Sequence, residues 1–223
     1  APRLVGMIVF GHQPSASTQQ MTSAGEKCQA IKEQNKDIPI IMVGGHVSAL
    51  AERTLKEESI DFVCKGEGPV TVVQLLDALK DDRTGGFGGV EGLVWMRDGE
   101  PVINPPAPLI ENLERDLHGN VWDLLPMNQY RAHNWQCFGN LDERQPYASI
   151  YTSLGCPYKC VFCCINAPFD INRYRMRLPR AVVDEIALLH DTYGVKTFKI
   201  TDEMFVLNNR HVNAICDLLI ERD

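Results

Sequence analysis

The chain has 223 residues and a mass of 25.0 kDa, which is enough for one large domain or two small ones that each bury a core. Hydrophobic residues make up 44% and charged residues 23%, values that exclude a disordered or fibrous chain. The formal net charge of -7 argues against broad nucleic-acid binding, because no basic stripe is available to displace counterions from phosphates. We therefore expect a small-molecule or protein substrate.

The length of the apolar runs and the spacing of the cysteines indicate the cellular compartment of the protein. No apolar run reaches about 18 residues, and the start of the chain has none of the parts of a signal peptide. We therefore predict a cytoplasmic protein that does not enter a membrane. Four of the eight cysteines fall within residues 156–164, and in a reducing compartment such crowding indicates metal ligation rather than disulfides.

Strand-like and helix-like segments alternate in the first part of the chain. Strands are predicted at residues 4–10, 38–43 and 61–64. Helices are predicted at residues 15–34, from an N-cap at Ser48 to residue 58, and after Pro69. Short apolar strands that alternate with helices predict a parallel sheet covered on both faces.

The pattern changes after residue 83. A hairpin is predicted between residues 90 and 104, turning at Asp98-Gly99, and a connecting segment that packs through its aromatic side chains continues to residue 146. From residue 147 the alternation resumes, with strands at 148–153 and 195–200 and helices at 179–192 and near the end. The sequence therefore predicts an α/β protein in three parts, at residues 1–83, 84–146 and 147–223.

Cys156, Cys160 and Cys163 lie in one short loop after a predicted strand, and thiolates bind iron strongly. Three protein thiolates would leave one iron of a 4Fe-4S cluster open, as a catalytic zinc site keeps an open position. An open iron indicates chemistry rather than electron storage alone. The alternative is a non-catalytic structural module for zinc or an iron-sulfur cluster, with Cys164 or a distant residue as the fourth ligand.

The loop sequence LGCPYKCVFC resembles the CxxxCx(aromatic)C signature of radical S-adenosylmethionine (SAM) enzymes, with Phe162 at the aromatic position. The resemblance implies a partial TIM-type barrel, of which residues 147–223 would be the first βα units. It implies that SAM chelates the open iron, that backbone at Phe162 contacts the adenine, and that SAM is cleaved reductively to a 5′-deoxyadenosyl radical. It also implies an electron donor such as flavodoxin or ferredoxin.

Two carboxylates and three arginines are further candidates. Asp202 and Glu203 follow the strand at 195–200, where ligands bind in barrel-type folds. The radical SAM resemblance makes both candidates for holding the methionine amino group of SAM, and the alternative is that they cap the following helix. The arginines are expected to line a solvated loop edge, with binding of a carboxylate or phosphate as the alternative; they are Arg173, Arg175 and Arg177.

The front of the chain carries a second resemblance. Ser15-Ala16-Ser17, followed after 26 residues by Gly44-Gly45, resembles the SxL and GG elements of cobalamin-binding domains, with Ser17 where leucine is usual. The stretches GGHVSALAERTL and DFVCKGEGP are similar to those of cobalamin-dependent radical SAM proteins. The resemblance implies a Rossmann-like, partial doubly wound domain with a groove for the nucleotide tail of cobalamin. The residues expected to line it are Ser15, Gly44, Gly45, Gly66 and Gly68.

The alternative is that these glycines are ordinary turns of a doubly wound sheet. The DxHxxG element of the cobalamin-binding family does not occur before Ser15. We expect a fragment that begins inside the cobalamin-binding domain and stops before the barrel is complete, and a relative that no longer binds cobalamin is the alternative. The predicted activity is that of a cobalamin-dependent radical SAM enzyme catalysing methyl transfer, cyclisation or rearrangement.

Overall fold

The computed structural model describes residues 2–10, 14–81, 86–117, 121–131, 142 and 144–222. The chain divides into two compact units. The first comprises Ala1–Leu109 and Pro157–Arg173, and the second comprises Ile110–Cys156 and Tyr174–Asp223. Within the described ranges, every helix is too short or too polar to cross a bilayer.

A five-stranded sheet organises the first unit. Its strands in spatial order are β1 (Val5–Val9), β2 (Ile40–Gly44), β3 (Phe62–Cys64), β4 (Leu93–Arg97) and β5 (Glu100–Ile103). The first three strands are parallel, as the alternating pattern predicts. Asp98 and Gly99 adopt φ values of +52° and +85° and join β4 to β5, which confirms the predicted hairpin.

The sheet is mixed, which corrects the expectation of a parallel sheet. β4 pairs antiparallel with β3, so that Val94 lies opposite Val63. The hairpin thereby covers the edge that β3 would otherwise leave unpaired, and such an edge favours aggregation. The sequence predicts the hairpin from its local turn, but the turn carries no information about which strand the hairpin joins.

Helices cover both faces of this sheet. They are α1 (Met21–Gln34), α2 (Gly45–Ala49), α3 (Ala51–Glu57) and α4 (Pro69–Asp81), and a 3-10 helix at Pro14–Gln20 precedes α1. Helices α1 to α3 pack on one face, where Cys28 and Leu55 join a cluster with Met42. On the other face, Leu75 of α4 packs in a cluster with Ile41. All five residues of β2 are buried as a result, which explains why its sequence is apolar throughout rather than alternating.

A buried asparagine ties the hairpin to the preceding segment. The Asn104 side chain is 7% exposed; its Nδ2 donates to the carbonyl oxygens of Phe87 and Val90 at 2.6 and 2.7 Å, and its Oδ1 accepts from Trp95 Nε1 at 3.2 Å. Each of these groups would otherwise be buried without a hydrogen bond. The asparagine therefore satisfies three polar groups at once.

We expect Asn104→Ala to lower the free energy of unfolding by about 2–4 kcal/mol, because it leaves buried backbone and indole groups unpaired. Urea unfolding measures the change, provided that the dependence on urea concentration stays the same. Glu100→Ala, at an exposed position of the same hairpin, is the matched control and should change stability by less than about 0.5 kcal/mol. Equal stability of the two variants would contradict the assigned role of Asn104.

Within its described residues, the second unit contains two small sheets and three α-helices. Its strands are β6 (Tyr147–Ile150), β7 (Ser153–Leu154), β8 (Arg175–Met176) and β9 (Thr197–Ile200), and its helices are α5 (Leu113–Asp116), α6 (Pro179–Tyr193) and α7 (Asn209–Ile220). β6 and β9 pair in parallel, and β7 and β8 pair antiparallel. Helix α6 begins with a proline and ends at Gly194, whose φ of +67° suits a helix stop. These elements confirm the predicted return of strand and helix alternation.

Arg175 is buried in this unit and Arg177 is largely buried, which corrects the expectation of a solvated loop edge for these two arginines. Arg173 is exposed, as expected. Arg175 is 6% exposed and donates to the Ile110 carbonyl oxygen at 2.6 Å. Arg177 forms an ion pair with Glu185 and also donates to the Tyr151 carbonyl oxygen at 3.0 Å. For Arg177 the alternative of binding a carboxylate therefore applies, and the carboxylate belongs to the protein itself. Both arginines therefore stabilise the unit internally.

The aromatic packing predicted for the connecting segment is present at Trp122. Its Nε1 donates to Glu185 Oε1 at 2.8 Å. Tyr130 is 43% exposed, and Trp135 lies outside the described residues. The segment is therefore anchored to α6 through the same glutamate that binds Arg177.

Candidate functional site

The predicted cobalamin-binding elements meet at one edge of the first sheet. β1, β2 and β3 are parallel, so the segments that follow them lie at the same edge, where ligands bind in such folds. Ser17 Oγ accepts a hydrogen bond from the His46 backbone N–H at 2.7 Å, and Thr18 Oγ1 lies 2.9 Å from His46 Nδ1. The structure therefore brings the serine element and the glycine element together.

Ser17 is 1% exposed, so its hydroxyl is used inside the fold and is not available to a ligand. This hydrogen bond gives a physical reason for the serine at a position where leucine is usual. The Ser15 backbone lies in the 3-10 helix Pro14–Gln20, and its side chain is not among those described.

The glycines at this edge have different roles. Gly44 has a φ of +154°, and a Cβ there would lie 2.4 Å from the Val9 carbonyl oxygen. Gly44 is therefore required by the close approach of β1 and β2, whether or not a cofactor binds. Gly45 is buried as the first residue of α2.

Gly66 and Gly68 follow β3. Gly66 has a φ of +152°, and a Cβ there would meet none of the described residues within 4 Å. Gly68 has a φ of +112°, and its Cβ would lie 3.2 Å from Val43 Cγ1. Of the predicted glycines, Gly66 best fits a position where backbone can approach a bound molecule.

Ser48 has a different role from the predicted N-cap. Helix α2 already begins at Gly45, and Ser48 lies inside it. The Ser48 hydroxyl accepts from the Gly66 N–H at 3.2 Å and donates to the Cys64 carbonyl oxygen at 3.3 Å. Ser48 therefore connects α2 to the end of β3 and fixes the backbone at Gly66.

The cysteines of the loop differ in their exposure to solvent. Cys156 is buried, whereas Cys160, Cys163 and Cys164 are exposed. In the part of the chain that the structure describes, no group of three His, Cys, Asp or Glu side chains is arranged to hold a metal ion. The donor set itself, three cysteine thiols within eight residues, fits the chemistry of an iron-sulfur cluster. The assignment of Cys156, Cys160 and Cys163 as ligands stays a prediction from the sequence.

The side chain of Phe162 is 90% exposed. Its predicted contact with adenine involves backbone and stays a prediction. Two other cysteines lie in the core of the first unit: burial raises the pKa of Cys28 and of Cys64 to about 11. These two thiols are therefore protonated at neutral pH and are poor metal ligands.

Asp202 follows β9 and is bound by the residues that follow β6. Its Oδ1 accepts from the Thr152 N–H at 2.7 Å, and its Oδ2 accepts from the hydroxyls of Thr152 and Ser153, both at 2.5 Å. β6 and β9 are parallel neighbours, which explains why their following segments lie side by side. The carboxylate therefore joins the ends of two adjacent strands.

Glu203 lies in the same place but is less fully bound. Its Oε2 accepts from the Gly155 N–H at 3.0 Å. Burial raises the pKa of the Glu203 carboxyl, and the hydrogen bond from Gly155 acts in the opposite direction. The charged form of such a half-buried carboxylate is stabilised by a cation that approaches it.

Neither carboxylate caps the following helix. Helix α7 begins at Asn209, and its N-cap is Asn208, whose side chain accepts from the His211 N–H. The capping alternative for Asp202 and Glu203 is therefore wrong.

Several polar residues beside the carboxylates were not predicted. His211 is 6% exposed, and its Nε2 lies 3.3 Å from Thr152 Oγ1. Burial lowers the pKa of His211 and raises the pKa of the Tyr151 phenol. Two hydroxyls directly before the cysteine loop, Thr152 and Ser153, were the available sequence signal, since they follow a strand next to the one that precedes the carboxylates.

Comparison with known proteins identifies relatives of the chain. Residues 1–76 match the family model of the B12 binding domain. An uncharacterized methyltransferase of Pyrococcus horikoshii is 34% identical over 197 residues, which are 88% of this chain and 40% of that protein. An anaerobic magnesium-protoporphyrin IX monomethyl ester cyclase of Synechocystis sp. is 28% identical over 218 residues, 96% of this chain and 40% of that protein.

Among solved structures, the radical SAM methyltransferase TsrM of Kitasatospora setae, with cobalamin and a [4Fe-4S] cluster bound, resembles the chain in fold. The TM-score is 0.70 at 24% identity, over 100% of this chain and 41% of TsrM. The chain thus spans about two fifths of the length of each of these proteins. Residues 1–76 thus match a B12 binding domain, and the chain is homologous to part of the proteins described as a methyltransferase and a cyclase.

Proposed function

We propose that the chain is the front part of a cobalamin-dependent radical SAM enzyme that acts on a small molecule in the cytoplasm. In this proposal Cys156, Cys160 and Cys163 hold a 4Fe-4S cluster, and residues 147–223 are the first βα units of a partial TIM-type barrel. A reduced cluster of this kind supplies one electron that cleaves bound SAM. An electron donor such as flavodoxin or ferredoxin would reduce it.

The observation that carries the proposal is the presence of two motifs in one chain. A B12 binding domain covers residues 1–76, and a CxxxCx(aromatic)C loop begins at Cys156. Either motif alone leaves many functions open. Together they favour an enzyme that uses SAM and cobalamin over a structural metal module, because a structural zinc site needs no cofactor-binding domain.

The proposed cobalamin groove lies at the carboxyl edge of β1, β2 and β3. Gly66 supports this assignment, because a Cβ there would meet none of the described residues within 4 Å. Ser48 holds the backbone at Gly66 in place. A backbone position that has no side chain and is fixed by a hydrogen bond lets a large cofactor approach closely.

The proposed SAM contacts lie at the ends of β6 and β9. Glu203 is the better candidate for the SAM amino group, because burial raises its pKa and an ammonium group would favour its charged form. The reaction would be methyl transfer, as in the relative described as a methyltransferase, or cyclisation, as in the one described as a cyclase, with rearrangement as a third class.

The experiment is addition of SAM to the anaerobically reconstituted and reduced chain, followed by electron paramagnetic resonance (EPR). A cluster with an open iron should give a changed spectrum when SAM binds. Bound zinc with no effect of SAM would instead support a structural metal module.

A further inference from the structure

We propose that Asp202 is a positioning residue rather than a ligand of SAM: with Thr152 and Ser153 it fixes the backbone that leads into the cysteine loop, which leaves Glu203 as the ligand-binding carboxylate. This inference rests on the proposed function for the role of Glu203. The part that concerns Asp202 rests on the hydrogen bonds alone.

Most of the hydrogen-bonding capacity of the Asp202 carboxylate is already used. A carboxylate offers about four lone-pair sites, and three of those of Asp202 are used by Thr152 and Ser153. Both partners are 0% exposed. A ligand ammonium would have to compete with these buried donors, each of which would be left unpaired.

The hydrogen bonds that lead to the Asp202 carboxylate have a defined direction. An ionised Asp202 only accepts, so the single proton of the Thr152 hydroxyl points at Asp202 Oδ2. The contact between Thr152 Oγ1 and His211 Nε2, at 3.3 Å, is then a hydrogen bond only if Nε2 carries a proton and donates it to Thr152. Burial lowers the pKa of His211, and the nearby Asp202 carboxylate acts in the opposite direction. A ring that carries a proton on Nε2 can donate to Thr152 in either charge state. His211 of α7, Thr152 and Asp202 thus form a chain of hydrogen bonds with one consistent direction.

The segment that these hydrogen bonds fix lies directly before the cysteine loop. Thr152 and Gly155 donate their backbone N–H groups to Asp202 and Glu203, and Cys156 is the next residue after Gly155. The two carboxylates therefore hold four residues immediately before the first cysteine of the loop. A displacement of this backbone would move Cys156 and Glu203 together, which is how a residue without ligand contact can affect binding.

The test compares three variants of the reconstituted, unreduced chain, using SAM itself as the probe. Asp202→Asn removes the charge but keeps the shape; its amide donates to the hydroxyls, which can turn to accept. Asp202→Ala removes all three hydrogen bonds. Glu203→Gln removes the charge of the proposed ligand and keeps an oxygen for Gly155. Hydrogen exchange of a peptide covering residues 150–156 is measured alongside SAM affinity.

We expect Glu203→Gln to weaken SAM binding at least about tenfold with unchanged hydrogen exchange, because a charge-assisted contact is lost. Asp202→Ala should weaken binding to a similar extent and also speed exchange of the peptide. Asp202→Asn should restore slow exchange and bind SAM within about threefold of the unsubstituted chain.

Two results would overturn the inference: an Asp202→Asn variant that binds SAM as weakly as Glu203→Gln, or an Asp202→Ala variant with unchanged exchange. The failure of the proposed function looks different. In that case the unsubstituted chain binds no SAM, and the exchange of the three variants still decides whether Asp202 holds the segment.

Discussion

Replacing Cys156, Cys160 or Cys163 by alanine is expected to reduce bound iron from about four atoms per chain to a small residue after anaerobic reconstitution. Each of the three thiolates would hold a different iron, so a two-thiolate site is left without enough ligands to retain the cluster. The measurement is iron and acid-labile sulfide per chain, with the broad visible absorption of thiolate-bound clusters as a second readout.

Cys164→Ala is the matched control, since Cys164 is an exposed cysteine next to Cys163. It should keep the iron content of the unsubstituted chain. Cys28 and Cys64 do not interfere, because burial raises the pKa of each thiol to about 11 and keeps it protonated. Loss of the cluster in Cys164→Ala alone would overturn the ligand assignment.

Gly66→Leu is expected to weaken binding of hydroxocobalamin at least about tenfold, because the new side chain would occupy the space that the cofactor needs. Titration followed by the corrin absorption bands measures the affinity. The φ of +152° at Gly66 is unfavourable for leucine and costs about 1–3 kcal/mol of stability. Thermal unfolding of the variant therefore accompanies the titration.

Gly6→Leu is the matched control. A Cβ at Gly6, within β1, also meets nothing within 4 Å, but Gly6 does not lie at the carboxyl edge of the sheet. This variant should bind hydroxocobalamin like the unsubstituted chain. A folded Gly66→Leu variant with unchanged affinity would contradict the proposed groove. Gly44 does not serve this test, because any side chain there would meet the Val9 carbonyl oxygen and disturb the fold itself.

Local patterns predicted those parts of the fold that depend on neighbouring residues. The apolar run of β2, the Asp98-Gly99 turn and the start and stop of α6 all follow from short stretches of sequence. The hydrophobic patterning also predicted that helices cover both faces of the first sheet. The attachment of the hairpin to β3 was not predicted, because strand pairing depends on residues about thirty positions apart.

The candidate site was predicted only in part, for the same reason. The sequence motifs made Asp202 and Glu203 candidates together, but they did not separate the roles of these two carboxylates. The hydrogen bonds that do so join residues 48 to 59 positions apart, such as Thr152 and His211, and no local pattern encodes such contacts. Asn104 was missed because a single asparagine at the end of a hairpin has the same appearance in sequence whether it is buried or exposed.

The central claim is that this chain combines a B12 binding domain with an iron-sulfur cluster that has an open iron for SAM. The most direct measurement is the EPR spectrum of the reduced, reconstituted chain before and after addition of SAM. The account predicts a 4Fe-4S signal whose shape changes when SAM is added, and a smaller change in Glu203→Gln at the same SAM concentration. An iron-sulfur signal that SAM leaves unchanged, or a chain that retains zinc and gives no signal, would contradict it.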